Sequence, residues 1–287
     1  YADDPTDPTG ARADVISPVS SGTTTWSEYV DEHPELADYA AEHWLGAHRR
    51  LQPVPANFAA ERADFHRVGF HVLSTVREQA NGKIALRYTH RGFGTPFYGN
   101  DEQLRVEGTQ LVHQQAGSVR SEPITTLNAA ASFAGIAYDP GKAERFDSPP
   151  PVDGDQPLEV SEQTAAGLGD WFGFAYSVLE ELRLNGGPEH DVGRVQLWAE
   201  HFDPAVELGS ADAGQRASYG ASPGDDAHPE PYLYVGAWGE IDRANPFWND
   251  EAFNGGAMSY DELLAADDQP QAALDYFRTG FAILTGG

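Results

Sequence analysis

Residues 194–239 read RVQLWAEHFDPAVELGSADAGQRASYGASPGDDAHPEPYLYVGAWG, and this stretch decides the fold. Apolar and polar residues alternate in three short runs, which is the pattern of half-buried β-strands. Gly and Pro pairs separate the runs and are typical of tight turns. In the last run, Leu233 and Val235 belong to one face and Tyr232 and Tyr234 to the other. Because the apolar face must pack on the core, we expect the two tyrosines to line a cleft.

Apolar residues at helical spacing flank this stretch on both sides. The spacing predicts helices over residues 26–50, 59–80, 124–136 and 162–184, and a last one that begins near Pro270. Between them, residues 83–123 contain strand-like runs, including a glycine loop at 92–97 and a hairpin that turns at Glu107-Gly108-Thr109. The fold class predicted from this order is α+β, with mainly antiparallel sheets flanked by long helices.

The chain divides into four expected regions. Residues 1–25 are rich in Pro, Asp, Ser and Thr and are expected to form a flexible N-terminal arm. Residues 26–138 are expected to form an N-terminal α+β lobe, and residues 139–160 a Pro-rich linker. Residues 161–287 then form a C-terminal α+β lobe that carries the candidate site.

The two halves contain a weak internal echo. RYTHRGF at 87–93 and LWAEHFD at 197–203 each follow a helix and an Asn-Gly stop, and each places a histidine at the end of a strand-like run. This order favours two similar lobes that arose by duplication. Chance similarity is the alternative, and the two sheets could also merge into one.

Composition limits the classes of partner. The formal net charge is −27, from 45 acidic and 18 basic residues, so no basic stripe is available to neutralise phosphates. We therefore expect no nucleic-acid partner and no anionic-membrane partner, whereas cations are favoured electrostatically. The chain has no cysteine and no long apolar run, which favours a cytoplasmic protein. It begins at Tyr1 without the features of a signal peptide, although a cleaved leader stays open, as does the oligomeric state.

Several motifs carry a resemblance to known sequences. GFGTPF at 92–97, LWAEHFD at 197–203, and GASPGDDAHPEPYLYVG at 220–236 with the following Trp238 resemble an uncharacterised family of bacterial, largely actinobacterial, proteins. The resemblance spans most of residues 58–284. That family has no established activity, so the resemblance implies no fold, cofactor or mechanism.

Acidic and imidazole side chains gather in the central stretch. His201 and Asp203 are two residues apart at a predicted strand end, and His228 and Glu230 are two apart before the next strand, so both pairs are expected to converge. Asp225 adds a further carboxylate. Mixed imidazole and carboxylate ligands favour a divalent Zn, Mn or Fe ion. The alternative is that His-Pro and Asp-Pro serve only as turn pairs, with no cofactor.

Two functions from different classes follow. The first is a metal-assisted hydrolase or lyase that acts on a small molecule, with His201, His228 and Glu230 as catalytic groups. The second is a non-catalytic ligand-binding or structural protein that uses an aromatic cleft or its acidic surface. Gly220-Ala221-Ser222-Pro223-Gly224 matches the G-x-S-x-G elbow of serine hydrolases, but Pro223 has no N–H for an oxyanion hole, so a β-turn is expected. A hydrolase that uses Ser222, His228 and an aspartate is the alternative.

Two further groups are expected to contact a ligand. The glycine loop after the first strand presents Phe93 and Thr95, with Arg91 or Arg87 able to pair an anionic group. The alternative for this loop is a tight turn between strands. The second group consists of the aromatic residues of the C-terminal half, Tyr232, Tyr234 and Trp238, which suit a planar or sugar-like ligand.

Overall fold

The computed structural model describes residues 34–36, 50–89, 92–98, 102–115, 118–146, 149–184 and 187–286. The predicted arm at 1–25 lies outside these ranges, as does most of the predicted helix at 26–50. Arg91 and His90 also lie outside them.

The first half of the chain combines a long helical segment with a meander of strands. The segment comprises α1 (Phe58–Val68), a π-helical stretch (Gly69–Leu73) and α2 (Ser74–Asn81), and it ends at Gly82 with φ 74°, as Asn81-Gly82 predicts. The elements that follow are β1 (Arg87–Thr89), β2 (Gly92–Gly94), β3 (Glu102–Glu107), β4 (Gln110–Gln115), β5 (Ser118–Pro123) and α3 (Leu127–Phe133).

The second half repeats the combination of helices and antiparallel strands. Its elements are α4 (Glu162–Leu184), β6 (Gln196–Trp198), β7 (Asp203–Leu208), β8 (Ala217–Ser222), β9 (Tyr232–Ala237), β10 (Gly255–Ser259), α5 (Tyr260–Ala265) and α6 (Gln269–Thr285). Short 3₁₀ turns lie at Pro34–Leu36, Pro140–Arg145 and Pro188–His190. The Asp268 side chain caps α6, and Pro270 occupies its first turn.

Each half builds one five-stranded antiparallel sheet, in the orders β1-β2-β3-β4-β5 and β10-β9-β8-β7-β6. The α+β class with mainly antiparallel sheets and long helices is therefore confirmed. A β-bridge between Leu86 and Leu197 joins the two sheets at their neighbouring edges. Duplication of the lobes stays a prediction.

The helix α4 lies at the centre of the core. It packs on β1 and β2 of the first sheet and on β7 and β8 of the second, while α6 covers α4 and β9. Trp171, Phe172 and Tyr176 on α4 are at most 1% exposed. The helices therefore cover one face of the second sheet and leave its opposite face available for a cleft.

The strand pattern differs from the prediction at two glycine-containing segments. Gly92–Gly94 was expected in a loop, but it forms β2, which pairs with both β1 and β3. A Cβ on Gly92 would lie 2.1 Å from the Val106 carbonyl oxygen, so close strand approach explains this glycine. Gly255–Ser259 lies outside the strand-like runs predicted from the sequence, but it pairs with β9 as an edge strand.

The predicted Pro-rich linker at 139–160 packs against the N-terminal region. The Leu158 N–H donates to the Thr125 carbonyl, and the Tyr138 hydroxyl donates to the Val152 carbonyl. Two of its prolines, Pro149 and Pro150, also line the cleft described below. The four-region division stays a prediction. Across the described residues, no helix combines the length and apolar character needed to cross a membrane.

Candidate functional site

The open face of the second sheet forms the floor of a cleft of about 1000 Å³. Strand register places alternate residues of β7, β8 and β9 side by side on this face. The floor includes Asp203, Glu207, Ser218, Ser222, Tyr232 and Tyr234. The opposite face carries Val206, Tyr219, Leu233 and Val235, all at most 1% exposed. The predicted division of faces along β9 is therefore confirmed.

Four segments form the walls of the cleft. Arg62 and His66 on α1 stand on one side, together with Pro149 and Pro150. The loop at 223–231 and the turn that carries Phe253 complete the rim. The ring of Phe253 meets that of Tyr234 edge-on, with centroids 5.9 Å apart. The result is a concave site with an aromatic and acidic lining.

A tight turn between β6 and β7 delivers Asp203 to the floor. The Phe202 N–H donates to the Trp198 carbonyl at 2.6 Å, and Phe202 adopts φ 60°. This left-handed conformation is unfavourable for a bulky residue. The ring of Phe202 is 1% exposed and packs against Phe93 and Phe172, with centroids 4.8 Å and 5.2 Å away. Core packing therefore holds the strained turn in place.

The same turn corrects the predicted relation of His201 to Asp203. The two residues were expected to share a face of one strand, but β6 ends at Trp198 and β7 begins at Asp203. His201 occupies the turn and is exposed, whereas Asp203 is 3% exposed on the sheet. The chain reversal at Phe202 breaks the alternation on which that expectation rested.

Asp203 is the most deeply buried carboxylate of the cleft lining. The Tyr234 hydroxyl donates a short hydrogen bond to its Oδ2 atom, while Oδ1 is buried and has no hydrogen-bond partner among the described residues. Burial raises the pKa of Asp203, against the opposing effect of the Tyr234 hydrogen bond. Burial and the neighbouring Asp203 charge raise the pKa of Tyr234 well above its usual value. The pair therefore retains protons more strongly than the same groups in water.

Gly220 makes the Asp203–Tyr234 contact possible. This glycine is on β8, where it pairs with Tyr234 of β9 on one side and with Ala205 of β7 on the other. A Cβ at Gly220 would lie 2.3 Å from the Cζ atom of Tyr234, so the ring crosses the strand directly over this glycine. The first glycine of the G-x-S-x-G match thus has a packing role.

A second tyrosine–carboxylate pair stands beside the first. The Tyr232 hydroxyl donates to Asp225 Oδ2 at 2.7 Å, and the backbone N–H groups of Ala227 and His228 both donate to Asp225 Oδ1 at 2.8 Å. Burial raises the pKa of Asp225, but these three hydrogen bonds outweigh it and the net shift is downward. Asp225 is therefore an ionised structural anchor of the loop.

His228 bridges two carboxylates across the rim. Its Nε2 lies 2.8 Å from Asp250 Oδ2, and its Nδ1 lies 3.5 Å from Asp225 Oδ1. Its ring packs on Tyr232, with centroids 4.4 Å apart. Asp250 is 7% exposed and comes from the segment before β10. Sequence reasoning missed Asp250, because only the tertiary fold brings it to the loop.

Two basic side chains of α1 fix the opposite wall. Arg62 donates to the carbonyl oxygens of Pro223 and Pro229 at 3.3 Å and 3.0 Å, and so holds the loop at 223–231. His66 Nε2 lies 2.9 Å from the Ala199 carbonyl, and its ring stacks on Phe202 at 4.9 Å. Burial lowers the pKa of His66 to about 3. His66 is therefore neutral at pH 7.

The five predicted metal ligands occupy different parts of this site. Asp203 lies on the floor, His228 and Asp225 are joined on the loop, and His201 lines the cleft from its turn. Glu230 is exposed on the loop and is not among the described residues that line the cleft. Among the residues that the structure describes, no three His, Asp or Glu side chains form a group suited to hold a metal ion. The ligand set and the catalytic roles of His201, His228 and Glu230 stay predictions.

The predicted ligand-contacting residues also separate. Tyr232 and Tyr234 line the cleft. Trp238 is 58% exposed beside it, donates from Nε1 to Ser218 Oγ at 3.1 Å, and holds the Arg216 guanidinium 5.1 Å from its ring centroid. Phe93 and Thr95 are buried in the first half, where Thr95 Oγ1 accepts from the Leu104 N–H. Their role in ligand binding stays a prediction, and Arg91 lies outside the described residues.

The G-x-S-x-G match forms a turn, as its proline predicts. Ser222 Oγ accepts a hydrogen bond from the Gly224 N–H at 3.1 Å, and Gly224 adopts φ 109°. A Cβ at Gly224 would meet Arg62 Nη1 at 2.1 Å, so this glycine admits the guanidinium that pins the loop. The serine therefore caps a turn at the edge of the cleft.

Comparisons with known proteins do not extend these observations. No family model, no curated protein and no solved structure matches the chain. The resemblance to an uncharacterised bacterial family stays a prediction. The geometry of the cleft is the observation that bears on function.

Proposed function

We propose that the chain is an enzyme of the hydrolase or lyase class that performs acid–base chemistry on a small molecule in the cleft. The observation that supports this most is Asp203, which is 3% exposed and has one oxygen bound to Tyr234 and the other unpartnered among the described residues. Burial raises the pKa of this carboxyl group, so it holds its proton to higher pH than a free aspartate does and is a candidate for proton exchange with a substrate.

The roles of the two residues follow from their hydrogen bond. In a hydrolysis, ionised Asp203 takes a proton from the attacking water and returns it to the leaving group. In an elimination, it takes the proton from the carbon next to the bond that breaks and delivers it to the leaving group. Tyr234 orients Asp203 and stabilises its ionised form through the donated hydrogen bond.

The substitution Asp203→Asn tests this role. Wild-type protein is screened against chromogenic esters, glycosides and phosphate esters and against substrates for elimination, and each hit is repeated with Asp203→Asn. We expect a loss of kcat of about 100-fold or more in that variant, because general acid–base groups contribute about 10²–10⁴-fold. The matched control is Asp261→Asn, which makes the same charge change at an exposed position on α5. An equal rate in Asp203→Asn would refute the proposal.

A non-catalytic ligand-binding protein is the second candidate. Its support is the aromatic lining, in which Tyr232, Tyr234 and Phe253 pack together at centroid distances of about 6 Å, with 6.1 Å and 5.9 Å for the two contacts. A ligand that binds in the cleft of the wild-type protein and is recovered chemically unchanged after prolonged incubation would favour this candidate.

The binding of a divalent ion in the cleft is a separate proposal, and the acid–base role of Asp203 does not depend on it. The predicted ligands His201, Asp203, His228, Glu230 and Asp225 are tested by metal analysis of purified protein. Stoichiometric Zn, Mn or Fe that is lost in His201→Ala would support a metal. Protein that contains no metal and keeps its melting temperature in chelator would argue against one.

A further inference from the structure

The cleft contains more negative than positive charge. Five carboxylates and two guanidinium groups belong to the described lining. Arg62 Nη1 bonds two backbone carbonyls and Arg67 Nη1 lies 2.6 Å from Asp64 Oδ1, while Arg67 Nε is buried without a partner among the described residues. Because the carboxylates outnumber the guanidinium groups, the lining as a whole favours a cationic ligand over an anionic one.

The carboxylates divide into satisfied and unsatisfied groups. Glu207 is paired with Arg216 at 2.8 Å, and Asp225 accepts three hydrogen bonds. In contrast, Asp203 Oδ1 and Glu200 Oε2 are buried and have no hydrogen-bond partner within the described part of the chain. Both residues line the cleft, and Glu200 is one of the charges that act on Asp203. Buried polar atoms without a partner call for an explanation, and a bound donor supplies one.

Aromatic residues lie close to Asp203 in the cleft lining. Tyr234 contacts Asp203 directly, Phe253 stands edge-on to Tyr234, and Trp198 lies opposite Asp203 in the β6–β7 pair. Aromatic faces attract cations and also provide apolar contact for carbon substituents. The combination of carboxylates and aromatic faces matches an organic cation more closely than a simple metal ion.

We infer that the substrate class of the cleft is a cationic amine, with its charged nitrogen paired by Asp203 and Glu200 and its carbon substituents against the aromatic rings. The inference rests on the proposed function and specifies its substrate. A neutral polyol would donate hydrogen bonds to the same oxygens but would leave their charge uncompensated, which is costly in a buried site. An anion would be repelled by the same carboxylates, which outnumber the guanidinium groups of the lining.

Two other properties agree with an amine. The formal net charge of −27 attracts cations to the surface and raises their encounter rate. In the free protein, burial raises the pKa of Asp203, with His201, Glu200 and Tyr234 as the groups acting on it. A cation beside Asp203 would lower that pKa again. Amine binding should therefore release a proton at pH values between the lower pKa of Asp203 in the complex and its higher pKa in the free protein.

Matched probes test the charge alone. n-Butylamine, which is protonated at pH 8, and butan-1-ol have nearly the same shape and differ by the exchange of an ammonium group for a neutral hydroxyl group, and glucose represents neutral polyols. Affinities are measured by calorimetric titration at pH 8 with wild type, Asp203→Asn, Glu200→Gln and the control Asp261→Asn. Melting curves of each variant establish that it is folded, and Glu200→Gln gives an independent result if Asp203→Asn is not.

We expect butylamine to bind wild type at least about tenfold more tightly than butan-1-ol, because the ammonium group is attracted by the carboxylates and by the aromatic faces, whereas the hydroxyl group is neutral. Asp203→Asn and Glu200→Gln should bind the two probes with about equal affinity, whereas Asp261→Asn should keep the preference of the wild type. Equal binding of the two isosteres, or binding of none of the probes, would overturn the inference. Binding of glucose alone that depends on Asp203 would overturn the amine class but leave the proposed acid–base cleft standing.

Discussion

Replacement of Tyr234 by phenylalanine tests how the cleft holds Asp203. The substitution keeps the ring over Gly220 and removes only the hydroxyl that donates to Asp203 Oδ2. Neither carboxylate oxygen of Asp203, which is 3% exposed, would then have a hydrogen-bond donor among the described residues. A net hydrogen bond to a charged group contributes about 1.5–3 kcal/mol to stability, and one to a neutral group about 0.5–1.5 kcal/mol.

The cost of this substitution should depend on pH. Because burial raises the folded-state pKa of Asp203 above its ordinary value of 3.8, the native state binds more protons than the unfolded state between the two values. Wild-type stability from this group is therefore present at low pH and falls as pH rises through the raised pKa. Tyr234→Phe raises that pKa further, so its cost should be near the neutral-bond value at pH 4 and should increase toward pH 8.

Urea denaturation at several pH values measures this difference. If the unfolding free energy changes by about 3 kcal/mol per molar urea, a loss of 2 kcal/mol lowers the midpoint by about 0.7 M. The matched control is Tyr219→Phe, because the Tyr219 hydroxyl is buried on the opposite face without a hydrogen-bond partner among the described residues. Its removal should be neutral or stabilising. Equal midpoints for both variants at pH 8 would refute the assigned role of Tyr234.

Three further predictions concern the walls of the cleft. Gly220→Ala should lose about 1–3 kcal/mol of stability, because its Cβ would lie 2.3 Å from Tyr234 Cζ, whereas Gly236→Ala, with its nearest atom at 3.9 Å, should melt close to wild type; equal melting temperatures would contradict this. Because burial lowers the pKa of His66 to about 3, the wild type should lose stability as pH falls from 6.5 toward 3. The melting temperature of His66→Gln should depend less on pH over this range. His228→Leu removes the 2.8 Å contact to Asp250 and should raise hydrogen exchange in residues 223–231; unchanged protection there would count against the bridge.

Local patterns were sufficient to predict much of the fold. The alternation of PYLYVGAW identified the two faces of β9, and helical spacing located α4 and α6 nearly to their ends. Asn81-Gly82 gave the end of α2 because a left-handed residue favours glycine there. These elements follow from interactions between residues that are close in sequence.

The site was less accessible to the same reasoning. The positive φ of Phe202 is maintained by rings from other elements, so the separation of His201 from Asp203 was not visible in the spacing. Asp250 reaches His228, and Arg62 reaches Pro229, across long stretches of chain. Only Gly220 left a local signal, since a glycine inside a strand indicates a close approach.

The most direct test of the central claim is a titration of Asp203 itself. Protein labelled with ¹³C at the aspartate carboxyl carbons is followed by NMR from pH 3 to pH 9, and Asp203→Asn identifies the signal. We predict a midpoint clearly above the ordinary aspartate value of 3.8, and a further upward shift in Tyr234→Phe. A midpoint at or below 3.8 that does not respond to Tyr234→Phe would contradict the proposal that Asp203 is the proton-exchanging group of the cleft.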